Sequence, residues 1–227
     1  MIFVNGLIIT SNGIINYSTI NMSSIIDQFF DMVYYINMEK DADRNQSVLD
    51  QFKKFNITKF KRVEGVVVKD IPEGGLYRSF IKRDEKYIRG HLGARKSHLS
   101  IVADAKINGY NRILIFEDDV DFKMDPNVLI NGNWFNIQNF DLLYFGGLQE
   151  QHFRNQIVEV HAYAIGSRIF DDILYMCEPS GMEIDNFYAK VIQHMSKNNR
   201  IGGQCIVKKV EPFNAITQKK EFGSNIV

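Results

Sequence analysis

Apolar residues in this chain gather in short unbroken runs, separated by stretches in which they recur every third or fourth position. Runs of the first kind fit strands buried on both faces, and the second spacing fits helices with one apolar face. Met32-Val33-Tyr34-Tyr35-Ile36-Asn37 predicts a core strand. Val48, Leu49, Phe52 and Phe55 then fall at i, i+1, i+4 and i+7, one face of a helix. Residues 60–68 read as a second strand, ended by a loop at Pro72, Gly74 and Gly75. Leu99, Val102, Ala103 and Ile107 suit a helix over residues 97–107, closed by Asn108-Gly109. A strand of pure core character over 112–116 follows and runs straight into Glu117-Asp118-Asp119. Residues 142–145 predict a third buried strand before Gly146-Gly147, residues 158–165 another and residues 206–210 a last. Ser167 is placed to cap a helix bearing Ile169, Phe170, Ile173 and Leu174. Glu178-Pro179-Ser180-Gly181 reads as a loop, and a further helix spans 186–195.

Ahead of these, residues 2–9 and 14–20 are β-prone and flank Ser11-Asn12-Gly13, whose Asn-Gly pair favours a tight turn. They predict an accessory hairpin within residues 1–30, preceding one α/β domain over residues 31–227. Strands alternating with helices imply a layered fold with a mostly parallel central sheet flanked by helices. Ligands of such sheets bind beyond the carboxyl ends of the strands. The acidic run falls at one of those ends.

Composition narrows the options. The chain has 227 residues, 45% of them hydrophobic, enough for one buried core. Its 27 basic side chains equal its 27 acidic ones, so no net field draws it to nucleic acid or an anionic membrane. The most basic stretch, residues 53–62, is interrupted by Phe55, Ile57 and Phe60. Cys177 and Cys205 have no paired spacing, which argues against a disulfide scaffold or thiolate metal site. No run approaches the ~20 apolar residues of a membrane-spanning helix, and residues 1–15 lack the basic start and cleavage site of a signal peptide. The expected setting is the reducing cytoplasm.

Three adjacent carboxylates repel one another unless a cation, hydrogen bonds or water offsets the charge. On an extended backbone Glu117 and Asp119 face one way and Asp118 the other, so two oxygen ligands converge. Oxygen ligation suits Mg²⁺ or Mn²⁺. From these residues alone, a helix cap or a solvated loop explains the run equally well.

The surrounding motifs are more specific. Gly90-His91-Leu92-Gly93-Ala94-Arg95-Lys96-Ser97-His98, followed by a helix and the strand ending in Glu117-Asp118-Asp119, resembles glycosyltransferase family 25, which includes lipooligosaccharide and collagen galactosyltransferases. Tyr35-Ile36-Asn37-Met38 with Arg44, Phe140-Asp141-Leu142-Leu143-Tyr144-Phe145-Gly146, Ala162-Tyr163-Ala164-Ile165 and Ile184-Asp185 agree in order, as do Gln218 and Ser224 near the end. Ala94 stands where the family commonly has Cys, Met38 where it has Leu, and Gly166 where it has Ser; these changes touch packing, not chemistry.

The resemblance runs from about residue 32 onward and implies a GT-A type nucleotide-sugar fold. It also implies Mn²⁺ (or Mg²⁺) assistance, a UDP-sugar donor and inversion at the anomeric carbon. On that basis Asp119 would bind the metal directly, with Glu117 holding it through water or meeting the donor ribose and Asp118 orienting its neighbours. Asn37 and Arg44 would contact the nucleotide. Galactose or glucose would pass to a hydroxyl on a glycan or a collagen-like hydroxylysine. Asp185 is the expected base for the acceptor hydroxyl, with ordinary N-capping as its bland alternative and Glu183 as a competitor.

Several other residues carry two readings. His98 would hydrogen-bond donor phosphate or sugar, or serve as a satisfied structural group. Ser97, also placed at the donor site, reads as a helix cap rather than a nucleophile, since no acyl-transfer triad spacing accompanies it. His161 is a remote third-ligand candidate, and Trp134 and Tyr163 read as core residues before they read as an acceptor groove. Residues 1–30 lie outside the resemblance and would pair two chains as a homodimer or cover the cleft. Two further classes stay open: a metal-dependent nucleotidyltransferase or phosphohydrolase, and a degenerate, non-catalytic sugar- or nucleotide-binding domain. The first is weakened by the lack of a GxxxxGK phosphate loop.

Overall fold

The computed structural model describes residues 24–71, 84–150, 156–193 and 205–222, together with three short strands near the N-terminus. Those strands, β1 (Ile2–Val4), β2 (Leu7–Thr10) and β3 (Gly13–Asn16), form an antiparallel three-stranded sheet, one strand more than the expected hairpin. Then follow α1 (Ile25–Phe29), β4 (Met32–Asn37), α2 (Ala42–Lys54), β5 (Phe60–Glu64), α3 (Glu85–Ile107), β6 (Arg112–Glu117), β7 (Val120–Phe122) and α4 (Pro126–Ile137). The chain continues through β8 (Leu142–Tyr144), β9 (Leu148–Glu150), β10 (Gln156–Val158), β11 (Ala162–Gly166), α5 (Phe170–Ser180), α6 (Ile184–Phe187), β12 (Val207–Lys209) and β13 (Ile216–Gln218).

Among the described residues the central sheet has six strands in the order β12-β8-β11-β6-β4-β5. All run parallel except β11, which is antiparallel to both neighbours. Alternating side chains divide the core in two. Val33, Tyr35, Leu114, Phe116 and Leu143 pack on one face against Ile26, Phe52 and Leu129 from α1, α2 and α4. Tyr34, Ile113, Ile115 and Leu142 pack on the other against Ile101, Ile173 and Phe187 from α3, α5 and α6. Both faces are covered, so the strands read as unbroken apolar runs. No helix among the described residues is long and apolar enough to cross a membrane.

Some boundaries differ from the sequence reading, each for a local reason. The helix expected over 97–107 starts twelve residues earlier, at Glu85, where the Asp84 side chain accepts a hydrogen bond from Tyr87 N–H. Gly90 and Gly93 therefore lie inside α3, and Ser97 is not a cap. Its hydroxyl donates to the Gly93 carbonyl and accepts from Val66 N–H. Strand β5 stops at Glu64 because the next residues leave the sheet to lie along α3. The strand expected over 158–165 is broken by Glu159, whose φ of 64° takes the chain out of extended geometry. Ser167 opens a short 3-10 turn and makes no side-chain cap. Residues 178–180 complete α5 rather than a loop, and Gly181 caps it in the left-handed region at φ 64°. The helix expected over 186–195 begins at Ile184 and continues as a π-helical turn over Tyr188–Ile192. Asn12, the Pro72, Gly74 and Gly75 loop, Met195 and Ser224 lie outside the described residues.

Gly93 is what lets the segment after β5 approach α3. A Cβ at this position would stand 2.3 Å from the Val66 carbonyl oxygen. Gly93→Ala is expected to lower stability by about 1–3 kcal/mol, read as a melting temperature several degrees lower, whereas Ala94→Ser should leave it nearly unchanged. An unaltered melting temperature in Gly93→Ala would show that the segment does not depend on this contact.

Candidate active site

Parallel strands place their carboxyl ends at one edge. Asn37 ends β4 and Glu117 ends β6, with Ile36 and Glu117 in register. Because β11 runs the other way, its leading residues Glu159 and Val160 reach the same edge. A cavity of ≈ 640 Å³ opens there, walled by the first half of α3 and by residues 65–68. Asn37, Arg44, Ser97, His98, Glu117, Asp118, Asp119 and Asp185 all line it. The principal donor, metal and base candidates are thus brought to one place, while His161 and Glu183 are not among the lining residues.

The three carboxylates of the turn have different surroundings. Asp118 is buried and accepts from Arg44 at 2.9 Å and from Asn37 Nδ2 at 2.8 Å. Asn37 also donates to the Asp41 carbonyl and accepts from Arg62. Asn37 and Arg44 are thus both hydrogen-bonded to Asp118. Glu117 and Asp119 receive weaker help: Gln218 Nε2 lies 3.4 Å from an oxygen of each, and Arg44 is 3.9 Å from Asp119. Asp119 Oδ1 is buried and has no hydrogen-bond partner among the described residues.

Burial and mutual repulsion have a direct consequence for protonation. Desolvation, then the neighbouring carboxylates, pushes Glu117 and Asp119 each up to about 7, against a smaller opposing pull from Arg44. Asp185, on the first turn of α6, is also raised to about 7, first by desolvation and then by Glu117, with His98 opposing. The N-cap of α6 is Glu183, so Asp185 is not the capping residue. His98 is lowered to about 4 by complete burial and stays neutral. Both of its ring nitrogens already face protein atoms, Nδ1 at the Tyr163 hydroxyl and Nε2 at Glu117.

Glu117 and Asp119 together form an oxygen pair with an unpartnered buried atom, which is the donor chemistry that suits Mg²⁺ or Mn²⁺. Among the described residues no group of three or more His, Cys, Asp or Glu side chains is arranged to hold a metal ion. Two carboxylates are nonetheless a usual protein share for such an ion when phosphate oxygens and water complete its shell.

The remaining candidates lie elsewhere. His161 is buried with Nε2 against the Ile216 carbonyl and does not line the cavity. Tyr163 is fully buried and follows the core reading; Trp134 packs edge-on against Phe29 but is exposed, away from the cavity, so it is neither a core residue nor a cleft residue.

Apart from Gln218, named above with the family motifs, the other lining residues escaped the sequence reading. Strand β13 pairs antiparallel with β7 and brings Gln218, Lys219 and Lys220 onto the acidic turn. Lys219 N–H donates to the Asp119 carbonyl at 2.6 Å, and Arg44 donates to the Phe222 carbonyl at 2.6 Å. Lys40, Lys86 and Arg89 add positive charge to the lining, and Glu159 adds negative. Isolated charges carry no periodic signal, so only the Gln218-Lys219-Lys220 cluster offered a cue.

The fold and cavity define an α/β enzyme with a polar cleft at the carboxyl edge of its sheet. Residues 30–210 match the profile described as "Glycosyltransferase family 25 (LPS biosynthesis protein)", and the chain belongs to that family; it is a glycosyltransferase. Among solved structures it is similar to a glycosyltransferase involved in the glycosylation of the major capsid of PBCV-1, at 11% identity over 78% of this chain and 79% of that one, with a TM-score of 0.44. It is also similar to a putative glucose-1-phosphate thymidylyltransferase from Bacillus anthracis in complex with a sucrose, at 11% identity over 82% and 70%, with a TM-score of 0.38. No curated protein matches the sequence.

Groups with raised carboxyl pKa values favour the folded state while protonated. Their contribution is full below about pH 4 and is lost as pH rises through about 7. The melting temperature of the metal-free protein is therefore expected to fall from about pH 5 to about pH 8. Glu117→Gln or Asp119→Asn removes one repelling charge and should flatten that fall. Amide variants that track the parent across the whole range would contradict this assignment.

Proposed function

We propose that the chain is a metal-assisted, inverting hexosyltransferase that moves galactose or glucose from a UDP-sugar to an acceptor hydroxyl on a glycan. The observation that carries this reading is the Glu117 and Asp119 pair, two crowded carboxylates in one cavity, one with a buried oxygen lacking a partner. These two side chains would hold the Mn²⁺ or Mg²⁺ ion, which when bound offsets the negative charge gathering on the departing diphosphate. Lys40 and Lys220, exposed cations of the cavity lining, supply further positive charge for that diphosphate.

Asp185 takes the proton of the acceptor hydroxyl as the acceptor oxygen bonds to the anomeric carbon and the bond from that carbon to phosphate breaks. With its carboxyl raised to about 7, Asp185 is poised to accept a proton at neutral pH. Asn37 and Arg44 serve the nucleotide end by fixing Asp118 and, through it, the turn. The accessory segment ends before α1, not at residue 30, because Ile26, Phe29 and Phe30 are buried in the core of the transferase domain.

Two measurements test this reading. UDP is expected to raise the melting temperature only when Mn²⁺ is present, and Asp119→Ala should abolish that shift together with donor hydrolysis. Stabilisation by a deoxynucleoside triphosphate but not by UDP would overturn it. Asp185→Asn is expected to keep UDP affinity and lose transfer by roughly 10²- to 10⁴-fold; undiminished transfer would remove Asp185 from the chemistry.

A further inference from the structure

A line of buried polar side chains runs from the acidic turn into the core. His98, on α3, is 1% exposed. Its Nε2 lies 3.5 Å from Glu117 Oε1 and its Nδ1 lies 2.7 Å from the Tyr163 hydroxyl. Tyr163 stands on β11, and its hydroxyl is 3.4 Å from that of Tyr188. Tyr188 opens the π-helical turn that continues α6, three residues after Asp185. Turns of this kind are rare and frequently found at functional sites.

Hydrogen-bond chemistry gives the line a direction. An ionised carboxylate can only accept, so even at 3.5 Å Glu117 favours the hydrogen on the ring nitrogen that faces it. A neutral imidazole has one hydrogen, which leaves a lone pair on Nδ1 for the Tyr163 proton. That phenol then has no hydrogen left for Tyr188, and Tyr188 must donate to it. The reverse order would aim a lone pair on Nε2 at the carboxylate, a repulsive arrangement.

We propose that His98 is a positioning residue, its Nε2 hydrogen turned toward Glu117 and its ring fixed from the far side by the Tyr163–Tyr188 pair, so that it orients Glu117 and ties the Asp185 helix to the acidic turn. The consequence for Glu117 rests on the function proposed above; the placement of the hydrogen does not. Partners that orient metal-site ligands in this way typically matter by one to two orders of magnitude.

The test uses the full chain labelled with ¹⁵N-histidine, free of metal and donor, at about pH 8.5, where Glu117 is ionised. Long-range proton–nitrogen correlation reads which ring nitrogen is protonated, and the His98 signals are identified by their loss in His98→Gln. The expected result is Nε2–H in the parent, with Mn²⁺-dependent UDP affinity or kcat reduced roughly 10- to 100-fold in Tyr163→Phe, whose imidazole loses the hydroxyl that fixes its far nitrogen. His98→Gln, whose amide still donates to Glu117, should retain more activity than His98→Ala. Tyr188→Phe removes a single hydroxyl and provides the same comparison should Tyr163→Phe fail to fold.

A parent ring protonated on Nδ1 overturns the proposal. So does a tyrosine variant with unchanged UDP affinity and unchanged kcat. Nε2–H in a parent that never binds UDP with Mn²⁺ upholds the hydrogen placement and overturns the donor-site reading instead.

Discussion

Repulsion among the carboxylates at the end of β6 governs the arrangement of this cleft. Three adjacent acids face one nearby guanidinium, and Arg44 is committed to the middle one at 2.9 Å. Asn37 reinforces that choice from the neighbouring strand. The flanking acids, Glu117 and Asp119, are left with long contacts to Gln218 and with each other's charge. The asymmetry leaves one acid neutralised by the protein and two that favour either protons or an external cation.

The fold creates that asymmetry through strand order. With β4 beside β6 and both parallel, the last side chain of β4 and the first helix after it reach the acidic turn, which is how Asn37 and Arg44 arrive together. The antiparallel insertion of β11 brings Glu159 and Val160 to the same edge, so one side of the cleft differs in charge from the other. A C-terminal strand then closes over the turn. Its backbone hydrogen bond from Lys219 to Asp119 and the stacking of Arg44 on Phe222, 5.3 Å from the ring centre, hold sequence-distant segments against the acids.

Much of this was legible from pattern because doubly covered strands leave a strong signal. Strand β4, the helix bearing Val48 and Phe52, and the strand ending in Glu117 follow directly from apolar spacing. The early start of α3 did not, since two glycines argue against a helix on propensity; tertiary packing overrides them, and Gly93 is needed there for close approach to Val66. The break at Glu159 was invisible for a similar reason, because a positive φ at a non-glycine residue is set by surroundings. Acidic and motif residues of the cleft were recoverable, while the partners that decide their behaviour lie as far as 178 positions apart in sequence.

His98 shows how the choice of neighbour, as much as the acids themselves, sets the character of the site. A protonated histidine beside Glu117 would supply the missing positive charge and relax the demand for a cation. Complete burial lowers this ring to about 4, so it remains neutral across the range in which the acids titrate. A neutral imidazole donates a hydrogen bond without cancelling charge. Glu117 is thereby oriented while its charge remains available to the proposed ion, and Arg44 is turned to Asp118 and held there by the Phe222 carbonyl and ring. Geometry is supplied to the outer acids and charge to the central one, a division that leaves the two outer carboxylates without a matching positive charge from the protein.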